Sequence, residues 1–449
     1  MTGLSAHSRC LCLTASRNSF AEEGDSQRWR DSQPRYWKRP PASRSGTAGR
    51  KRFHVGVLAG AEESRFPLLS PDLNGGFEMK GRTGILRCAV GLFAVAALAS
   101  IAATAALAED EPGAVYVLTN QATNSVLVFA RAADGTLSFS GSFVTGGAGA
   151  GTGVDPLGSQ GSLVLGRWQR RLFAVNAGSN DVSVLAIDGL SLHLLDRAPS
   201  GGTMPVSVAD HGDLVYVVNG GGTPNIQGFH VEPSSGHLIQ IPGSSQPLPG
   251  GVTAGPGQIG ISPDGDVLLV TEKGTNQIDT WTLTDDGLPV NGKVIASHGA
   301  VPFGFTFVRR GVALITEAKP SAVSSYETND EGALNLITGT VPDNGAANCW
   351  IEATKNNRYA FVTNTGSGTI SSYLITPDGS LSLLNAVAAV TGPGTAPIDF
   401  ALSGDSHFLF VRLGTKGTVA AFRVESDGGL TALSTVGGVP AGAQGLAAR

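Results

Sequence analysis

From Val115 to the C-terminus the chain repeats one grammar of apolar and polar positions. An apolar run closes on a polar residue, a short Gly/Ser/Asn turn leads to a second apolar run, and an Asp-Gly turn leads to a third. Val115-Tyr116-Val117-Leu118-Thr119-Asn120 followed by Val126-Leu127-Val128-Phe129 is one copy; Leu172-Phe173-Ala174-Val175-Asn176 followed by Val182-Ser183-Val184-Leu185 is another. Five further first runs close on Asn219, Glu272, Glu317, Asn364 and Arg412, so the polar ends recur about every 49 residues. Apolar runs this short, bounded by Gly, Asn and Asp, read as buried strands.

Between the units lies a fourth run that alternates small and apolar residues: Pro205-Val206-Ser207-Val208, Gln258-Ile259-Gly260-Ile261, Phe303-Gly304-Phe305-Thr306, Cys349-Trp350-Ile351-Glu352 and Pro397-Ile398-Asp399-Phe400. Small residues suit the crowded innermost strand around a channel. The pattern opens at a second strand (Val115) and ends on Pro440-Ala441-Gly442-Ala443-Gln444-Gly445-Leu446, an inner-strand pattern with nothing after it. These features predict an all-β, seven-bladed propeller whose C-terminal inner strand closes the first blade, removing the free edges of an open array.

Composition agrees, with 62 Gly, 24 Pro and 15% charged residues favouring short strands and tight turns. Residues 1–108 hold 15 Lys/Arg and 8 Asp/Glu, leaving 16 basic and 28 acidic residues in the body. A body this acidic has the wrong sign for tracking phosphate backbones, so nucleic acid is not an expected partner. Cys10, Cys12 and Cys88 precede the repeats and only Cys349 lies within them, which excludes a disulfide inside the propeller.

Upstream, Lys80, Arg82 and Arg87 form a positive segment, an Ala/Val/Leu-rich stretch follows, and Ala106-Leu107-Ala108 is a small-x-small cleavage site. Residues 79–108 therefore read as a signal peptide, and residues 109–449 as a secreted or periplasmic propeller without a stable membrane span after processing. A membrane anchor is the rival reading; the alanine content and the cleavage site favour removal. Residues 1–78, rich in Arg, Ser and Pro without sustained apolar periodicity, read as a disordered or non-native upstream extension.

Leu172-Phe173-Ala174-Val175-Asn176-Ala177-Gly178-Ser179-Asn180, Ser262-Pro263-Asp264-Gly265 and Thr363-Asn364-Thr365-Gly366-Ser367-Gly368-Thr369-Ile370 carry a resemblance. With the Asp378-Gly379 turn, they resemble the lactonase family of seven-bladed propellers, which includes bacterial 6-phosphogluconolactonase and carboxymuconate cyclases, over essentially all of residues 113–449. The resemblance implies a lactonase (a carboxylic-ester hydrolase) or a cycloisomerase-like enzyme acting on a small lactone or related carboxylate, as a monomer. The cytoplasmic 6-phosphogluconolactonases carry a His-Pro-His segment where this chain has Gly255-Pro256-Gly257-Gln258, and an Asp-Leu-Gly turn where it has Glu272-Lys273-Gly274. Both imidazoles are missing, which puts phosphogluconolactone itself in question. Related propellers also serve as noncatalytic binding modules for a small molecule or protein, and that is the alternative function.

Equivalent places in seven units should gather the polar ends near one end of the channel. Glu272 and Glu317 are candidates for the general base, with Arg412 or Lys273 binding a carboxylate or stabilising an oxyanion. Asn120, Asn176, Asn219 and Asn364 would contact substrate; local backbone hydrogen bonding is the competing role for such strand ends. Glu352 is the next catalytic candidate, Asp399 shares its inner-strand setting, and His298 precedes an inner strand and could reach the mouth. No HExxH, paired CxxC or calcium-loop spacing occurs, so no metal site or cofactor is expected, although a divalent cation in the channel stays open. The run from Thr145 to Gly153 lacks the GK[ST] ending of a phosphate loop and reads as a long loop over one face, a candidate lid. Trp168, Trp281 and Trp350 read as packing between blades.

Overall fold

The computed structural model describes residues 113–449; the expectations for residues 1–78 and 79–108 lie outside the described residues. The chain forms seven antiparallel sheets. Blade 1 holds Gly113–Leu118, Ser125–Arg131 and Leu137–Val144, and the strand Leu446–Ala448 completes it from the inside. Blades 2 to 7 begin with the inner strands Leu163–Leu165, Thr203–His211, Pro256–Ile261, Pro302–Phe307, Asn348–Ala353 and Pro397–Leu402. Each sheet then runs outward through consecutive strands, and blade 3 carries one additional short strand, Gln246–Pro247, on its third.

The continuous apolar runs are the second strands, and their residues are buried on both faces because neighbouring blades cover them; Val267–Glu272 and Val312–Glu317 are buried throughout. Outer strands such as Pro289–Ala296 alternate instead between half-buried and exposed residues, as a strand with one solvated face does. The C-terminal strand closes the first blade. Val115 faces Ala448 and Val117 faces Leu446, while the Leu118 N–H donates to Gly445 O at 3.0 Å and the Gln444 N–H donates to Leu118 O at 3.0 Å. The expected closing segment is thereby confirmed, with residues 441–445 turning into the strand.

In blades 3 to 7 the register of inner against second strand slips near the strand's entry, at Pro205/Ser207, Pro256/Gln258, Pro302/Phe305, Asn348/Ile351 and Ile398/Phe400. Such bulges release backbone groups from the ladder and re-aim side chains. Two of the released carbonyls latch neighbouring blades: Thr271 Oγ1 donates to Phe303 O and Thr316 Oγ1 donates to Cys349 O, each at 2.6 Å. Others face the axis, where they shape the site. Cys349 is buried, Trp281 and Trp350 pack in the core as expected, and Trp168 does not: at 73% exposure it stands on the surface.

Candidate active site

The long connection from blade 1 to blade 2, residues 145–162, forms a stopper across one end of the channel. Its last turn is held from around the ring. Gln444 of the closing segment receives the Leu157 N–H on Oε1 at 3.0 Å and donates through Nε2 to Ser159 O at 2.7 Å. Ser159 Oγ donates to Val206 O of blade 3 at 2.7 Å, and the Gln160 N–H donates to Gly257 O of blade 4 at 3.0 Å; both acceptors are bulge carbonyls. From blade 6, Trp350 Nε1 donates to Ser159 O at 3.1 Å, and the Gln160 amide exchanges two bonds with the Ile351 backbone at 2.9 and 3.0 Å. Blade 5 leaves no room for a side chain beside it: a Cβ on Gly304 would lie 2.2 Å from Gln160 Oε1. The glycine-rich run is thus the arm of a built plug rather than a loop lying free over the face.

Beneath the plug is a cavity of about 520 Å³ lined by parts of all seven inner strands, including Gln258, Glu352, Asp399 and residues 446–448. Gln160 forms its floor, and the lining continues to Arg167, Gln169, Lys355 and Ser406 in the turns at the far ends of these strands. The channel is therefore stopped at the strand-end face and reached from the opposite mouth.

Two carboxyls face this cavity near the floor. Asp399 is the bulge residue of blade 7 and has φ +45°, a left-handed conformation costly for any residue but glycine and tolerated best by Asn and Asp. Its Oδ2 accepts the Gly445 N–H at 2.7 Å. Burial pushes Asp399 up to about 8 despite that bond, with Asp155 adding to the shift. Burial, with the nearby Asp399 charge, pushes Glu352 up to about 8 as well, and Gln160 Nε2 lies 3.5 Å from Glu352 Oε1. At neutral pH the pair keeps at least part of one proton. Asp155, in the plug, is pushed up to about 6 by burial against the opposing charge of Lys273.

A stability consequence follows with a definite sign. Both carboxyls bind protons more tightly folded than unfolded, so their contribution is present near pH 4 and is lost as pH rises towards about 8. The wild-type melting temperature should fall between pH 5 and pH 9 more steeply than that of a Glu352→Gln/Asp399→Asn double variant, on the order of several degrees by differential scanning fluorimetry. Parallel curves would show that the two groups are not buried as described.

The seven strand-end residues lie elsewhere. None lines the channel cavity; all are buried within the blades and serve their own connections. Asn176 Nδ2 donates to Asp181 and Ser183, and its Oδ1 accepts from Asn124 and Thr145. Asn120 Oδ1 accepts the Ala150 N–H at 2.8 Å, Asn219 Nδ2 donates to Ser200 O at 2.9 Å, and Asn364 Nδ2 donates to Ser371 Oγ at 2.7 Å. Glu317 accepts the Gly299 N–H and Ser324 Oγ at 2.7 and 2.6 Å. Glu272 accepts the Gly250 N–H at 3.0 Å and Thr275 Oγ1 at 2.5 Å, while burial and the adjacent Glu272 carboxylate push Asp279 well above the carboxylate range.

Arg412 donates to Leu413 O and, at 3.1 Å, to Pro440 O; burial lowers it to about 10, which leaves it cationic at neutral pH. Lys273 donates to Gly158 O and Pro256 O, and its Nζ sits 4.9 Å from the Phe303 ring centroid, so it braces the plug. The ring of His298 points outward, with Nδ1 2.6 Å from Thr340 Oγ1 on the outer strand of blade 5. Of the sequence candidates, the structure brings Glu352 and Asp399 together at the channel, with Lys273 behind the plug. Gln160, Gln444 and Asp155 were not anticipated; the one signal for them was a connection of 18 residues where others span three to nine.

Among the described residues no group of three or more His, Cys, Asp or Glu is placed to hold a metal ion, and no helix is long and apolar enough to cross a membrane. The family model "Lactonase, 7-bladed beta-propeller" matches residues 312–401. No curated protein sequence matches the chain. Among solved structures, a Lactobacillus plantarum protein is similar at 20% identity and TM-score 0.60, covering 75% of this chain and 99% of its own. The Pseudomonas aeruginosa periplasmic gluconolactonase is similar at 18% identity and TM-score 0.59, covering 74% and 98%. A Desulfotomaculum acetoxidans protein of unknown function is similar at 15% identity and TM-score 0.60, covering 75% and 98%. At these identities the likeness establishes the fold.

Proposed function

We propose that this chain, a lactonase-type seven-bladed β-propeller, opens a small lactone at the stoppered end of its channel, with Glu352 and Asp399 as the acid and base. The observation that carries the reading is a pair of channel carboxyls of raised proton affinity, one of them held in a costly backbone conformation at a bulge. Backbone strain of this kind clusters at active sites. The family match and the gluconolactonase among the structural neighbours support the substrate class. That neighbour's periplasmic setting and the signal-like leader support a secreted or periplasmic location.

In this mechanism the ionised member of the pair takes a proton from water, and the resulting hydroxide adds to the lactone carbonyl carbon. As the tetrahedral intermediate collapses, the ring C–O bond breaks and the neutral member gives its proton to the departing alkoxide oxygen. The products are one hydroxy acid and a pair that has exchanged roles. Water enters from the open mouth, and the plug keeps the opposite end dry.

Glu272, Glu317 and Arg412 then act as structural groups. A Glu272→Gln/Glu317→Gln double variant should lose stability, on the order of 1–3 kcal/mol by urea denaturation, while its turnover per folded molecule stays within about threefold of wild type; a far larger loss of turnover would return catalysis to the strand ends.

The function is tested by a pH-stat, which reads the proton released when the product acid ionises at neutral pH. Five- and six-membered lactones should consume base with the wild type and not, above background, with Glu352→Gln/Asp399→Asn. No difference between the two would support the noncatalytic binding module instead, a reading favoured by the backbone carbonyls already holding both Lys273 and Arg412.

A further inference from the structure

Beside the open mouth, between blades 2 and 3, lies a second cavity of about 680 Å³ whose rim is the turn Arg167-Trp168-Gln169-Arg170. The corresponding turns of blades 3, 4 and 7 carry acids, Asp213, Asp264 with Asp266, and Asp405, while those of blades 5 and 6 carry Arg309 with Arg310 and Lys355 with Arg358. Blade 2 puts arginines there, and with Arg171 the segment holds three of the 16 basic residues of an acidic body.

Trp168 leaves 73% of its surface in water, whereas Trp281 and Trp350 are almost wholly buried. A large exposed aromatic at the edge of a concave, partly apolar cavity marks a recognition surface.

The chemistry of the lining selects a ligand class. Phe173, Val231 and Pro233 supply apolar walls. The Arg167 guanidinium carbon lies 5.9 Å from the Trp168 ring centroid, an arrangement that favours a flat partner stacked on the same indole. Two acids also line the cavity. Asp210 accepts the Arg167 N–H at 2.7 Å and is raised by burial, and Asp213, largely exposed, lies 3.6 Å from His230 Nδ1. Arg170, exposed on the rim, and Arg171, which donates to Pro233 O, leave guanidinium donors for a carboxylate. The volume suits a ligand of one or two rings.

We propose that this groove binds an aromatic carboxylate, stacked on Trp168 and paired with Arg170 and Arg171. The site is independent of the channel carboxyls and stands whether or not the chain hydrolyses lactones.

Isothermal titration calorimetry with 2-naphthoate tests it. Binding should weaken at least tenfold in Trp168→Ala and in Arg170→Glu, two surface changes whose melting temperatures should match wild type. Neutral 2-naphthamide should bind at least tenfold more weakly than the carboxylate, and Glu352→Gln/Asp399→Asn should bind 2-naphthoate as wild type does. Absence of binding at millimolar 2-naphthoate would overturn the proposal. So would equal binding by both surface variants, equal binding of the amide, or loss of binding in the channel variant.

Discussion

Replacing Glu352 with Gln, or Asp399 with Asn, is expected to lower kcat/KM for lactone opening by about 100-fold or more, the scale on which positioned proton transfer contributes. Neither change alters size, and Asn tolerates the left-handed conformation that Asp399 adopts, so the fold should survive. The loss follows from the pairing. With both groups raised to about 8, the wild type near pH 8 holds about one proton between two sites, giving one base and one acid. Each single variant keeps one titratable group, which can serve as base or acid but not both. The kcat/KM profile should thus change from a bell, with limbs on either side of pH 8, to a single inflection. Steady-state kinetics across pH 6 to pH 10 reads this, and an unchanged bell in either variant would remove that residue from the chemistry.

Deleting residues 443–449 is expected to have the largest effect on stability. The segment supplies the inner strand of blade 1 and, through Gln444, two of the bonds that seat the plug. Without it, the edge of Gly113–Leu118 is unpaired, and buried Leu446, Ala447 and Ala448 are lost from the core. Several backbone hydrogen bonds and this apolar burial together contribute roughly 5 kcal/mol or more, comparable with the net stability of many domains. The truncated chain should be largely insoluble, or melt far below wild type by calorimetry, because an open edge also templates aggregation. A soluble variant with a melting temperature within a few degrees of wild type would mean that the ring does not depend on this strand.

The blades were legible in the sequence because second strands are covered on both faces and therefore read as unbroken apolar runs. The closing strand was legible as the piece the count lacked. Glu352 and Asp399 could be placed on inner strands, but nothing local announces the bulge that turns Asp399 into its left-handed conformation.

The strand-end residues show where repeat logic falls short. Equivalence in sequence put them on one ring, yet the partners seven positions on, Ser183 for Asn176, Ser324 for Glu317 and Ser371 for Asn364, draw them into their own blades. That spacing was visible and pointed to a structural role. The plug was hidden for a different reason. Residues 155–160 have no periodicity, and their partners at 206, 257, 351 and 444 become neighbours only once the ring has closed. Trp168 was misread as packing because composition cannot tell an indole between blades from one standing on a turn.

The claim on which the rest depends is that chemistry takes place on the channel side of the plug. A crystal structure of the protein soaked with the hydroxy acid formed from its best lactone tests it most directly. The account predicts ligand density in the channel below Gln160, with the product carboxylate and hydroxyl against Glu352 and Asp399. Density on the far side of residues 155–160, beside Glu272, Glu317 or Arg412, would contradict it.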